Sequence, residues 1–177
     1  MKILLCLLVL SVSAGPKEST EQLVHQAAAV FSQKNIEMRK KEGMILFHSH
    51  FDFEKFAQLT LEDHWRHLTS AQRKAFLTIF RKRFEERVLQ YFEKEPGTFS
   101  VKIKGRGKFG KFKKIDCRLQ SDKRSGDFSL LWIRKRQDWK IADIWVSNAS
   151  LVGNYQGQFN KIIRDHGFEE VLKRLNE

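Results

Sequence analysis

Two histidines in the segment EDHWRHL have a spacing that metal sites use. His64 and His67 are three positions apart, so a helix would place both on one face. Glu62 and Asp63 would be the nearest carboxylates, and the segment HSH at 48–50 contains two more histidines. Isolated histidine pairs are common, however, and no other segment has convincing ligand spacing. The sequence therefore favours polar histidines on a helix surface, and we predict no metal site.

Cys117 is the cysteine that could act as a nucleophile, because Cys6 lies in the apolar N-terminal segment. The neighbouring Arg118 would lower the pKa of a thiol and favour the reactive thiolate. A nucleophilic site also needs a histidine and an orienting carboxylate, and no nearby segment indicates them. We therefore predict a shielded strand cysteine and no enzymatic activity. A hydrolase that uses Cys117 is the weaker alternative.

Three glycines in KGRGKFGKF have the spacing of a dinucleotide-binding loop. Such a loop needs a strand before Gly105 and a helix after Gly110. A strand pattern precedes the glycines, but the segment FKKIDCRLQ that follows them is also typical of a strand. We therefore place Gly105, Gly107 and Gly110 in a β-hairpin, where they allow positive φ, and predict no cofactor.

The N-terminal segment MKILLCLLVLSVSAGP has the parts of a secretory signal. Lys2 supplies a positive charge, residues 3–10 are apolar, and small residues suitable for cleavage occupy 12–14. The apolar run is too short to span a bilayer. We therefore predict a signal peptide at 1–14 and an exported protein that forms a single domain over 15–177.

The formal net charge of +12 indicates an anionic partner, and basic residues are densest in one predicted hairpin. This basic hairpin could meet lipid headgroups or an acidic protein, and export makes nucleic acid an unnatural partner. Alternating lysines are equally typical of the wet face of an antiparallel hairpin, where they protect an edge from aggregation. The residues of the basic hairpin are Lys102, Lys104, Arg106, Lys108, Lys111, Lys113 and Lys114.

The N-terminal third of the chain has helical patterns. Ser19 and Gln22 predict a capping box for a helix over 19–35, and the charged stretch that follows ends at Gly43. Asp52 predicts the N-cap of a short helix, and Thr60 predicts the start of another.

The longest helix is predicted over 71–94. Thr69 and Gln72 form its capping box, and a Pro-Gly pair at 96–97 ends it. Apolar residues recur at every fourth position, which predicts one buried face. These residues are Phe76, Phe80, Phe84, Val88 and Phe92.

Beyond the long helix the hydrophobic period changes from helical to two. Four segments with this period, joined by short polar turns, predict an antiparallel meander between about residues 101 and 146. Two helices over 150–164 and 168–175, divided at Gly167, close the chain. Helices, then a meander, then helices predict an α+β fold in which helices cover one face of the sheet.

The aromatic content is high, with 15 Phe and 4 Trp. In most small domains such residues fill the core. They could also line an apolar cavity between a curved sheet and its helices. Composition does not choose between these two interpretations.

The segment WKIADIWVSNASLVGNYQGQFNKIIRDHGFEEVLKRL resembles the MlaC family of periplasmic phospholipid-binding proteins. A second segment, FDFEKFAQLTLEDHWRHLTSAQRKAFLTIFRKRF, is similar to another pattern of that family. Four positions depart from the family, which usually has Gly in place of Glu62, E-G in place of 147–148, and Arg in place of Gln156. The matching residues are Asp143, Ile144, Ser150, Leu151, Val152, Asn154, Tyr155, Phe159, Gly167, Phe168 and Leu172, with Asp52, Phe53, Leu61, Trp65, Gln72 and Phe76 in the second segment.

The resemblance implies a periplasmic carrier that buries phospholipid acyl chains between a curved sheet and the N- and C-terminal helices. Implied partners are an outer-membrane lipoprotein complex and an inner-membrane ABC transporter with its MCE-domain subunit. The apolar residues that would line the cavity are Phe56, Leu59, Trp65, Phe76, Phe80, Val88, Leu130, Trp132, Ile144, Val146, Leu151, Tyr155 and Phe159.

A second interpretation needs no cavity. The aromatic residues would fill the core, and the basic hairpin would dock on an acidic protein or membrane surface. Lipid carried by the purified protein would favour the first interpretation. Purified protein that carries no lipid, and that loses its function when the hairpin charges are reversed, would favour the second.

Overall fold

The computed structural model describes residues 15–94, 97–122 and 124–177, so the predicted signal peptide and Pro96 lie outside the described residues. Over these ranges the protein is an α+β fold with a five-stranded antiparallel sheet and seven helices. The helices are α1 Pro16–Ser32, α2 Ile36–His50, α3 Phe53–Leu61, α4 His64–His67, α5 Ser70–Phe92, α6 Leu151–His166 and α7 Phe168–Asn176. The strands are β1 Phe99–Phe109, β2 Phe112–Ser121, β3 Ser125–Lys135, β4 Asp138–Val146 and β5 Ala149–Ser150.

The sheet is a meander in which each strand pairs with the next along the chain, in the order β1-β2-β3-β4-β5. The four predicted strands are confirmed. β5 was missed because two residues cannot show a period-two pattern. The three glycines lie in the β1–β2 hairpin as predicted, but only Gly110 has positive φ, at 54°. Gly105 and Gly107 lie within β1, and the β1–β2 register shifts between Ile103 and Gly105.

The predicted capping box at the start of α1 is wrong. The helix begins earlier, with Gly15 as N-cap and Pro16 in its first turn. The N–H of Ser19 already donates to the carbonyl of Gly15 at 2.9 Å, so Ser19 lies inside the helix. Proline is favoured in this turn because its missing N–H would have no intrahelical partner.

α2 continues through Gly43, where the charged stretch of the sequence ends. Asn35 caps the helix by accepting a hydrogen bond from the N–H of Met38 at 3.0 Å. A Cβ at Gly43 would lie 2.6 Å from ring atoms of Phe92 on α5. The glycine therefore permits close approach of two helices and does not mark a helix end.

Gly43→Ala is expected to destabilise the protein by about 1–3 kcal/mol, because the methyl group would overlap the Phe92 ring. The matched control is Gly157→Ala in α6, where nothing lies within 4 Å of an added Cβ. There the better helix propensity of alanine should stabilise by up to about 1 kcal/mol. Urea denaturation of both variants would check the opposite signs, and equal effects would contradict the close-approach explanation.

α3 begins as predicted, since the side chain of Asp52 accepts from the N–H of Lys55 at 3.1 Å. The predicted helix start at Thr60 is wrong. Thr60 is fully buried inside α3, and its hydroxyl donates to the carbonyl of Ala57 at 2.8 Å. The next helix is α4, which starts after Asp63.

α5 has the capping box predicted from Thr69 and Gln72, with both of its reciprocal hydrogen bonds. Its predicted apolar face is buried at Phe76, Phe80, Phe84 and Phe92. The C-terminal helices divide at Gly167, where φ is 84°, as the sequence predicted.

Candidate ligand-binding site

The space between the helices and one face of the sheet is filled mainly by aromatic rings. Phe53 and Phe56 of α3 stack and tilt against Phe80 and Phe84 of α5, with ring centroids 5.0–5.9 Å apart. Such distances are those of close aromatic packing. The sheet side of this cluster consists of Ile115, Cys117, Leu130, Trp132 and Ile141.

α5 and α6 meet through these rings and scarcely through their backbones. Phe80 lies 5.0 Å from Tyr155 and 5.4 Å from Phe159, measured between ring centroids. Phe76 lies 5.6 Å from Phe159 in the same way. We call Phe76, Phe80, Phe84, Tyr155 and Phe159 the aromatic seam. Two helices held by side chains can separate with less backbone rearrangement than two helices in direct backbone contact.

Most of the residues predicted from the resemblance lie in or against this cluster. Leu59 lies apart, because it packs with a smaller cluster around Phe112 and Leu131. Val146 is 60% exposed, so it does not line the interior. The predicted residues in the buried cluster are Phe56, Phe76, Phe80, Leu130, Trp132 and Phe159, and those packed against it are Trp65, Val88, Ile144, Leu151 and Tyr155. Lipid contact by these residues stays a prediction.

Asp143 joins the last long strand to α6. Its carboxylate is 4% exposed and accepts from the N–H groups of Ile144 and Val152 at 2.8 and 3.0 Å. The indole of Trp145 and the hydroxyl of Ser150 donate to its other oxygen at 2.7 and 2.6 Å. Four donors compensate a buried carboxylate, so this residue fixes where α6 leaves the sheet.

Asp143→Asn is expected to lower the free energy of unfolding by about 2–3 kcal/mol, because the amide nitrogen cannot accept from Trp145 and Ser150. The matched control is Asp127→Asn, which changes an exposed carboxylate that pairs with Lys104 and Arg118 at 3.4 and 3.2 Å. The control should cost under about 1 kcal/mol. Thermal and urea unfolding would check this order, and the opposite order would contradict the role of Asp143.

A family model described as MlaC protein matches residues 17–177. The chain belongs to the MlaC family. Its structure is similar to that of the phospholipid-binding protein from Ralstonia solanacearum in complex with a phospholipid, with a TM-score of 0.76 and 15% identity. The match covers 92% of this chain and 96% of that chain, and at this identity it establishes the fold. No curated protein matches the chain.

Three positions of the MlaC pattern have a structural explanation here. Asp143 and Ser150 hydrogen bond to each other, and Ser150 also caps α6 by accepting from the N–H of Gly153 at 2.8 Å. The family pattern usually has Gly where this chain has Glu62, and the backbone of Glu62 has a φ of 48°. Positive φ costs a glycine little, so the pattern reflects a turn between α3 and α4.

The basic hairpin of this MlaC family member has half-buried and exposed cations. Lys114 is half-buried, since it pairs with Asp116 at 2.9 Å and lies 5.0 Å from the Trp145 ring centroid. Phe109, at the tip of the hairpin, is 52% exposed and packs edge-on against Trp145. Lys113 is also half-buried, and the exposed members are Lys102, Lys104, Arg106, Lys108 and Lys111.

Cys117 is a shielded strand residue, as the sequence predicted, with 1% of its surface exposed. Burial, with the nearby charge of Asp116, raises the pKa of its thiol to about 11. The thiol therefore keeps its proton at neutral pH, which disfavours nucleophilic chemistry.

His64 and His67 both lie on α4, as the predicted helix requires. Within residues 15–94, 97–122 and 124–177, no cluster of three or more His, Cys, Asp or Glu side chains could hold a metal ion. None of the helices in these ranges is long and apolar enough to cross a membrane.

Proposed function

We propose that this protein is an exported phospholipid carrier. The acyl chains of the bound phospholipid would occupy the region of the aromatic seam. The seam carries the proposal because α5 and α6 are joined there by side-chain rings, with few backbone contacts, and acyl chains could replace these ring contacts. Membership of the MlaC family and the likeness to a protein described as phospholipid-binding support it. Binding and release of lipid then require no covalent chemistry.

The energetics favour acyl chains in such an interior. Each CH₂ group transferred from water to an apolar environment gains about 0.8 kcal/mol. The rings of Phe80 and Tyr155 would rotate or shift to admit the chains, and the lost ring contacts would be replaced by contacts with CH₂ groups. Opening of the seam therefore loses ring contacts, and the bound acyl chains replace them. Both a closed, empty form and an open, lipid-filled form can then be stable.

Carrier function also requires a route. In this proposal residues 1–14 direct export, and the mature protein works in the periplasm. It would receive lipid from a lipoprotein complex of one membrane and deliver it to an ABC transporter with an MCE-domain subunit in the other. A tightly held lipid leaves only when a partner binds the open form better than the closed form.

The test is mass spectrometry of protein purified without detergent, first under native and then under denaturing conditions. The expected result is an added mass on the native protein that resolves into phospholipid after unfolding. Protein that carries no lipid and takes up none from phospholipid vesicles would overturn the proposal.

A second candidate function follows from the closed packing of the interior. If the rings only fill the core, the exposed basic hairpin and Phe109 are the features left for docking on an acidic surface. The charge reversal Lys108→Glu/Lys111→Glu should then abolish binding to anionic vesicles. Lys74→Glu/Lys82→Glu, on exposed positions of α5, is the matched control. Sedimentation with vesicles would separate the two variants.

A further inference from the structure

α5 also borders a surface groove on a side that faces solvent. A surface groove there contains three cationic side chains and one carboxylate, so its formal charge is positive. Arg83 and Arg87 are four residues apart and therefore lie on one face of the helix, one turn from each other. The residues of this groove are Arg83, Glu86, Arg87, Gln90, Tyr91 and Lys94.

Tyr155 links this groove to the aromatic seam. Its ring packs against Phe80 and Phe56 with centroids 5.0 and 5.9 Å away. Its hydroxyl lies near Arg87, whose charge acts on the phenol. Burial raises the pKa of Tyr155, and the nearby positive charge of Arg87 opposes this rise. The phenol therefore stays protonated at neutral pH and can donate a hydrogen bond to an anion.

The guanidinium groups of the groove are incompletely neutralised. No carboxylate among the described residues lies within 4 Å of Arg87, and Arg83 pairs with Glu86 at a loose 3.7 Å. Lys94 points to the Tyr91 ring, with its ammonium 4.4 Å from the centroid. Arginine forks with unused donors are the usual protein partners of phosphate oxygens.

We propose that Arg83 and Arg87, together with the Tyr155 hydroxyl, bind the phosphate of a phospholipid headgroup at the solvent end of the aromatic seam. The proposal deepens the carrier function above and rests on it. A lipid with its chains among Phe76, Phe80 and Phe159 would then place its phosphate beside the groove. Specificity would come from the phosphate, which every glycerophospholipid shares, and diacylglycerol would lack the contact.

The experiment compares phosphatidic acid and diacylglycerol with the same oleoyl chains. Protein is incubated with neutral vesicles that contain either probe, purified again, and analysed for bound lipid by mass spectrometry. The wild-type protein should retain phosphatidic acid at least about tenfold better than diacylglycerol, a ratio that charge-assisted hydrogen bonds supply.

Arg83→Gln/Arg87→Gln should reduce that ratio about tenfold and leave the retention of diacylglycerol unchanged. Tyr155→Phe, which removes only the hydroxyl, should reduce it a few-fold. The matched control is Lys74→Gln/Lys82→Gln, which removes the same charge from exposed positions of α5 outside the groove. This control should keep the wild-type ratio.

The outcomes separate this proposal from the carrier function. Uptake of neither probe by wild-type protein would refute the carrier function and the phosphate site with it. Uptake of both probes, with equal ratios in wild-type and Arg83→Gln/Arg87→Gln protein, would refute the phosphate site alone. Calorimetry with glycerol 3-phosphate distinguishes a lipid from a free phosphate: no heat supports the lipid headgroup, and micromolar binding would overturn its assignment.

Discussion

Arg39→Ala is expected to lower the free energy of unfolding by about 3–5 kcal/mol, because it removes a buried cation that satisfies three helix-terminal or linker carbonyls. Arg39 is 1% exposed. Its guanidinium donates to the carbonyls of Phe92 and Lys94 at 2.6 Å each, and to that of Gln33 at 2.5 Å. One side chain thus joins the ends of α1 and α5 from the first turn of α2.

The physical reason for the large effect is that the partners of Arg39 are backbone atoms. The carbonyls at the end of a helix have no intrahelical donor, and they carry the negative end of its dipole. Alanine would leave these carbonyls without their donors and would leave a cavity where the long side chain packed. Each buried carbonyl without a donor costs about 1–3 kcal/mol.

Urea denaturation would measure this loss. Arg39→Lys keeps the charge, but an ammonium group lacks the planar guanidinium that reaches all three carbonyls. The free energy of unfolding of Arg39→Lys should therefore lie between those of wild-type protein and Arg39→Ala. Lys41→Ala, on an exposed position of the same helix, is the control and should change stability by under about 0.5 kcal/mol. A loss under about 1 kcal/mol for Arg39→Ala would contradict the role assigned to its hydrogen bonds.

Arg39 also shows why part of the fold could not be predicted from the sequence. In the charged stretch before Gly43 a buried arginine has the same sequence signal as an exposed one, and its burial depends on helix ends distant in the chain. The packing role of Gly43 could not be predicted for the same reason, because the Phe92 ring that requires a glycine there is far away in sequence. Local signals sufficed for α5, where Thr69 and Gln72 form the capping box.

The candidate site divides in the same way. The four-residue spacing on α5 predicted the buried positions of Phe76, Phe80 and Phe84, since one helix face must be covered. Leu59 has a helical spacing that fits the same cluster, yet it packs against Leu131 in another one. Strand alternation places Val146 with Ile144, but Val146 lies at the uncovered end of β4. Such differences depend on which neighbour covers a residue, and that is tertiary information.

Phe80→Ala is expected to destabilise lipid-free protein by about 3–5 kcal/mol and lipid-loaded protein by clearly less. Phe80 is 1% exposed and lies at the centre of the aromatic seam, with Phe76 at 5.1 Å and Tyr155 at 5.0 Å between ring centroids. Truncation of a buried phenylalanine loses its burial and leaves a cavity. An acyl chain in the seam would fill that cavity, so bound lipid should offset part of the loss.

Phe92→Ala is the matched control for this comparison. Phe92 is also buried on α5, but it packs against Phe31 at 5.2 Å and against Gly43, away from the seam. Its truncation should cost about the same with and without lipid. The measurement is urea denaturation of wild-type protein and both variants, each before and after lipid loading, so that the general stabilisation by bound ligand cancels in the difference.

The difference between the two variants locates the lipid, whereas the loss in either variant alone reports only packing. If lipid reduces the cost of Phe80→Ala by at least about 1 kcal/mol and leaves that of Phe92→Ala unchanged, acyl chains occupy the seam. If lipid binds but both costs stay the same, the chains lie elsewhere in the molecule, and the rings between α5 and α6 are permanent core. The rings around Phe80 would then stay packed when lipid binds, and the lipid site would lie on another surface of the sheet.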